Sequence, residues 1–135
     1  MANIAVATTN SIHVVTSIQQ LTLPAAEAIA AGAPVRIDTT AGTFTNANGT
    51  SAGEARVWGI ATGTVVAGRP VTAVRRGILD GYTFTQAYDA AIYLSDTDGT
   101  LGDTAGTVST VVGRVVPGTA TTTGTAFDKL LSVEL

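Results

Sequence analysis

Cysteine is absent from this 135-residue chain, which excludes disulfides and thiolate metal centres outright. Charge is scarce: Asp, Glu, Lys and Arg together make up 13%, about half the usual share. The net charge of -3 is mild and no basic stripe occurs, so no nucleic-acid partner is expected. No apolar run approaches the roughly 18 to 20 residues that a membrane helix needs, and no membrane partner is expected. The opening "MANIAVATTNSIHVV" has neither the positive stretch nor the apolar core of a signal peptide. The chain therefore reads as soluble and made in a cytoplasm. Apolar residues still make up 45%, enough to fill a core and unlike a disordered sequence.

Threonine is the commonest residue, with valine, alanine and glycine following it. Thr and Val are stiff at their branched Cβ and favour strands over helices. Only "PAAEAIAA" (24–31) has helical composition, and it is too short to stand alone, so it reads as strand and loop or at most one helical turn. Turn residues recur every 8 to 12 positions or so, the spacing of a β-sandwich or barrel. Candidate strands are "SIHVVTSI", "APVRIDT", "GTFTNA", "RVWGIATGTV", "RPVTAVRRGIL", "AAIYLSD", "TVVGRVV" and "KLLSVEL". The expected fold is all-β, a single sandwich or barrel-like domain over 21–135, with an N-terminal arm over 1–20 and little or no helix.

Alternation assigns faces. In "KLLSVEL", Leu131, Val133 and Leu135 share an inward face, which places this strand within the fold. In "TVVGRVV", Val111 and Val115 lie on one face, and Val112 and Val116 lie on the other with Arg114. Both faces are apolar, so both need a cover, one of them a second subunit. In the arm, Ile12, Val14, Thr16 and Ile18 can share a face and add as a strand to a neighbour's sheet edge; an ordinary edge strand of this domain is the alternative. Removal of 2–20 would then leave the domain folded. Arg75 and Arg76 point to opposite faces, and the inward one either needs a carboxylate, from Asp80, Glu54 or a partner chain, or lies at a solvated edge. Trp58 shares a face with Ile60 and reads as core.

Motifs that could carry chemistry fall short on inspection. "SDTDGTLGD" sets Asp96, Asp98 and Asp103 among glycines and hydroxyls, as a calcium loop does. An EF-hand starting at Asp96 would need glycine and glutamate where Leu101 and Thr107 stand. A hairpin needs no such repair: Asp side chains bond their own backbone and Gly99 permits positive φ. "GTVVAGRP" (63–70) has phosphate-loop glycines but ends in Arg69-Pro70 instead of lysine and a hydroxyl residue, so it reads as a hairpin connection. His13, the one histidine, lacks a serine or aspartate motif to enlist it and reads as structural. "NGT" at Asn48 matches a glycosylation acceptor, yet Asn-Gly is also a turn dipeptide. No catalytic residue, metal ligand or cofactor is expected, and the chain is not read as an enzyme.

Taken in order, "VWGIATGTV", "VTAVRRGILDG", "AAIYLSDTDGTLGDT", "VGRVVPG" and "DKLLSVEL" form a series that resembles bacteriophage capsid decoration proteins, also called cement or head-stabilisation proteins. The resemblance covers about residues 30 to 135. It departs from the family's Leu-Thr after the turn glycine, which is here Leu101-Gly102. The resemblance implies an all-β virion protein, commonly a homotrimer, on the outer capsid surface at junctions between major capsid proteins, which it stabilises. It implies no catalytic residue and no cofactor. The candidate interface comprises Ile12, Val14, Thr16, Ile18, Arg75, Arg76, Val111 and Val115. The alternative is a carbohydrate- or receptor-binding β module of a phage fibre or secreted protein, which would present exposed aromatics to a sugar.

Overall fold

The stretch from Pro70 to Asp80 carries the branched residues Val71, Thr72, Val74 and Ile78, and it forms a long central strand of a computed structural model. That structure describes residues 2–6, 12–122 and 126–135, with backbone alone over 119–122 and 126–127. The strands are β1 (Ala5–Val6), β2 (His13–Pro24), β3 (Pro34–Ile37), β4 (Phe44–Asn46), β5 (Gly59–Ala61), β6 (Pro70–Asp80), β7 (Tyr82–Thr83), β8 (Ala91–Leu94), β9 (Leu101–Gly102), β10 (Val111–Thr122) and β11 (Ala126–Glu134). No helix occurs among the described residues, and the main sheet curls into a half-barrel. The all-β, barrel-like reading holds. Each of the eight strands read from the sequence overlaps one of these elements, with β2 and β10 running well past the stretches expected, and "PAAEAIAA" forms a bend with isolated bridges at Ala25 and Ile29.

The main sheet runs β4-β3-β5-β6-β11-β10-β8-β9, with β2 joined to β6 off that path, and a small second sheet pairs β1 with β7. All these strand pairs are antiparallel. β2 pairs along the whole of β6, from His13 opposite Asp80 to Pro24 opposite Pro70. A strand has two edges, so β5 and β11 must share the other one in tandem. β5 pairs at Ala73 and Val74, and β11 pairs from Arg76 to Leu79.

Two cores result, because the middle of the sheet is buried on both faces. Ile60 opposite Val74 faces a larger core with Leu79, Ile92, Leu94, Val112, Leu131 and Val133. Their neighbours Ala61 and Ala73 face a smaller one, with Val35, Phe44, Val71 and Ile29. Such burial on both sides requires small or branched apolar residues without polar alternation, which is what "GIA" and "VTAV" supply. Ile4 and Ile12 also enter the larger core, where the buried Tyr82 hydroxyl donates to the Gly32 carbonyl at 2.7 Å. Burial pushes that phenol above its usual pKa, so it stays a neutral donor.

The boundary drawn at residue 20 falls in the middle of β2, and no detached arm is seen among residues 12–20. The physical reason is the β6 edge: without β2, its backbone donors and acceptors would lack partners in this sheet. Removing 2–20 takes away two buried isoleucines and most of that strand.

Gly77 makes the β2–β6 contact possible. A Cβ there would fall well inside the radius of the Thr16 carbonyl oxygen, with the Ser17 Cα a further 3.2 Å neighbour. Both obstacles are backbone and cannot swing aside. We expect Gly77→Val to destabilise the fold by about 3 kcal/mol or more, as overpacking of a tight backbone contact does. Urea unfolding followed by circular dichroism checks this; an unchanged midpoint would show that β2 does not need the close approach.

Candidate interface

Strand β2 carries no Asp, Glu, Lys or Arg, and positions 13–22 are all exposed. It pairs with β6 alone, so among the described residues its outer edge has no strand partner. The pairing slips between Val14 and Thr16, between Ser17 and Gln19, and between Gln19 and Gln20. The first two slips each put an extra residue on β2: Val15 and Ile18. These bulged side chains are among the most solvent-exposed large apolar groups described, at 56% and 75%. Bulges re-aim side chains and also blunt an edge against uncontrolled strand addition.

Those slips undo the single face expected for Ile12, Val14, Thr16 and Ile18. Ile12 is buried in the larger core, while Val14 and Ile18 are exposed. Thr16, Ile18 and Arg76 do come together, lining a shallow groove of about 260 Å³ with Ile78, Val133 and Glu134. Val15 and Leu21 belong to the same exposed strand but were not among the expected residues. An alternating pattern holds no signal for a bulge.

Val111 and Val115 are likewise separated. Val111 is 48% exposed, whereas Val112 and Val115 are both buried in the larger core. Val111 lies opposite Tyr93 and Gly113 opposite Ile92, so Val112 is the extra residue of a bulge and alternation shifts there. Arg114 then faces solvent and joins β10 to β11 and the 89 turn. It grips Glu134 through Nε and Nη2 at 3.1 and 3.3 Å, and reaches Asp89 through Nη1 at 2.8 Å. The hydrogen bond from Arg114 holds the Glu134 carboxyl below its ordinary pKa, but both side chains are well exposed and the pair adds little stability.

The two adjacent arginines do diverge, without finding the carboxylate expected for the inward one. Arg75 Nη1 donates to the Trp58 carbonyl at 3.1 Å, and its guanidinium lies 5.6 Å from the Trp58 ring centre. Arg76 Nε donates to the Leu135 carbonyl at 3.3 Å. Trp58 is half-buried and packs with Phe44 against the smaller core, not beside Ile60 in the larger one. It sits just before β5 begins, where strand alternation does not yet govern its direction.

The aspartate stretch is a hairpin. β8 and β9 pair through Tyr93–Gly102 and Leu94–Leu101, and Gly99 takes φ +64° in the turn. The three carboxylates each hold a different segment. Asp96 accepts from the Thr107 amide and hydroxyl at 2.8 Å each, Asp98 accepts from Asn48 Nδ2 at 3.0 Å, and Asp103 accepts from the Ala2 amide at 2.8 Å. Asn48 in turn caps the Thr50 amide at 3.1 Å, the geometry of an Asx turn. The 63–70 stretch is the β5–β6 connection, closed where the Arg69 amide donates to Val66 and the Gly68 amide to Ala25. His13 is exposed on β2 opposite Asp80.

Because those carboxylates staple separate segments, calcium or EDTA should leave the melting temperature unchanged within about a degree. Differential scanning calorimetry with and without millimolar calcium checks this, and a rise of about ten degrees would overturn the hairpin role. No protein-family model, curated protein or solved structure matches this chain.

Proposed function

We propose that this protein is a structural component of a bacteriophage virion, binding the outer capsid surface at junctions between major capsid proteins and stabilising the shell. The observation that carries this reading is β2: an exposed, nearly uncharged strand whose outer edge has no strand partner among the described residues, with protruding Val15 and Ile18. A monomer gains nothing from such a surface, whereas a partner sheet or groove gains backbone hydrogen bonds and apolar contact. The ordered motif series from Val57 to Leu135 supports the same reading through its resemblance to decoration proteins. The mechanism is mass action: a protein that binds only the closed shell stabilises it by its own binding free energy, multiplied over many copies. The role is structural and not catalytic, and the assembly unit is a homotrimer.

The saccharide-binding alternative has less support. Its natural platform would be Trp58, and one approach to that ring is taken by the Arg75 guanidinium.

Two measurements test the proposal. Light scattering at micromolar concentration should give three times the 13.6 kDa chain mass, and a persistent monomer would count against the trimer. In co-sedimentation with emptied phage capsids, the parent protein should pellet with the shells. Ile18→Asp should bind at least tenfold more weakly, about 1.4 kcal/mol, while keeping its circular dichroism spectrum. Full binding by a folded Ile18→Asp protein would place the interface elsewhere, and absence of binding by the parent to any capsid would overturn the reading.

A further inference from the structure

An open cleft away from β2 carries unbalanced charge. It measures about 610 Å³ and is lined by Ile37 and Thr39 of the β3–β4 hairpin, by Arg56, Val57 and Trp58 before β5, and by Arg75 of β6. The chain has more acids than bases, 10 against 7, yet neither arginine in this cleft forms an ion pair among the described residues. The neighbouring carboxylates are committed elsewhere. Asp38 accepts from the Thr40 and Ala41 amides at 2.8 and 2.9 Å, and Glu54 accepts from the Thr50 and Ser51 hydroxyls at 2.9 and 3.3 Å. Arg114, by contrast, is saturated by two acids.

We propose that the Arg56–Arg75 cleft is a docking site for an acidic side chain, Asp or Glu, of a protein partner. Three features fit that occupant. Arg75 is held in place by the Trp58 carbonyl and ring, so its remaining N–H groups are oriented before any ligand arrives. A planar guanidinium fork matches a carboxylate, and a second arginine at the same cleft adds charge complementarity. Ile37, Val57 and Trp58 supply apolar wall for the methylenes of the incoming side chain. A carboxylated sugar offers the same anion but would stack on an aromatic face, and Arg75 lies over the Trp58 ring. The protein source is therefore favoured.

This deepens the reading above, resting on it only for the partner being a protein, and it is testable without capsids. Trp58 is the one tryptophan of the chain, so intrinsic fluorescence reports on this cleft directly. The full-length protein is titrated at low salt with a capped Gly-Glu-Gly-Glu-Gly peptide, the matching Gly-Gln-Gly-Gln-Gly peptide, and trigalacturonate. The glutamate peptide should give a saturable change that the glutamine peptide does not. Arg56→Gln, which alters an exposed side chain, should weaken binding at least about fivefold with the circular dichroism spectrum unchanged. Arg75→Lys, which keeps the charge and loses the fork, should weaken it too. The proposal is overturned by the absence of a saturable response to about 20 mM glutamate peptide. It is equally overturned by an Arg56→Gln protein that responds like the parent, or by tighter binding of trigalacturonate than of peptide. Peptide failure with intact capsid co-sedimentation removes this site alone, and the reverse result removes the capsid reading alone.

Discussion

One strand has to satisfy three others. β6 gives one edge to β2 along its full length and divides the other between β5 and β11. Every backbone group along such a strand must be matched in register, and both of its faces are covered over Ala73 and Val74. The β3–β4–β5 branch and the β8–β11 branch hold their relative positions because both are pinned to the same eleven residues. The cleft beside Trp58 exists at that fork, since Arg75 belongs to β6 and the other lining residues to the first branch. The groove that holds Thr16 and Ile18 lies against the second branch, at Val133 and Glu134.

Polar side chains then tie the ends of the strands together. Asp96 and Asp98 in the β8–β9 turn and Asp103 just after β9 reach three separate segments, at Thr107, Asn48 and Ala2. Glu27 does similar work on the other side, accepting from the Thr45 hydroxyl and from the Asn46 amide at 3.3 Å. Arg114 is held by two acids, whereas Arg56 and Arg75 form no ion pair among the described residues.

The strands were legible because Thr and Val clusters alternate with Gly, Asp and Asn at short intervals, and because no helix pattern competed. The hairpin at "SDTDG" was legible from turn chemistry alone. Bulges were not. Val112, Val15 and Ile18 are each an extra residue in a ladder, and an extra residue reverses the face of everything beyond it. That is why Val115 is core and not interface, and why Ile12 and Ile18 do not share a face. The partner of an arginine was also hidden: Arg75 answers to a main-chain carbonyl and a ring, groups that leave no mark in a list of acids. The family resemblance covered about residues 30 to 135, while β2, which ends at Pro24, lies outside it.

The tandem edge of β6 also sets the order in which this chain can become native. Leu79 pairs with Leu131 on one side and Val14 on the other, so its two contacts join residues made early with residues made late. Most of the sheet is built from such distant pairings, and loop closure must precede any gain from them. A nascent chain that has reached β6 has its β2 partner and β5 at hand, but half of one edge stays open until β11 emerges. Folding is therefore expected to be slow and to complete late. During that interval the exposed half-edge, Arg76 to Leu79, is the place where two unfinished copies would meet.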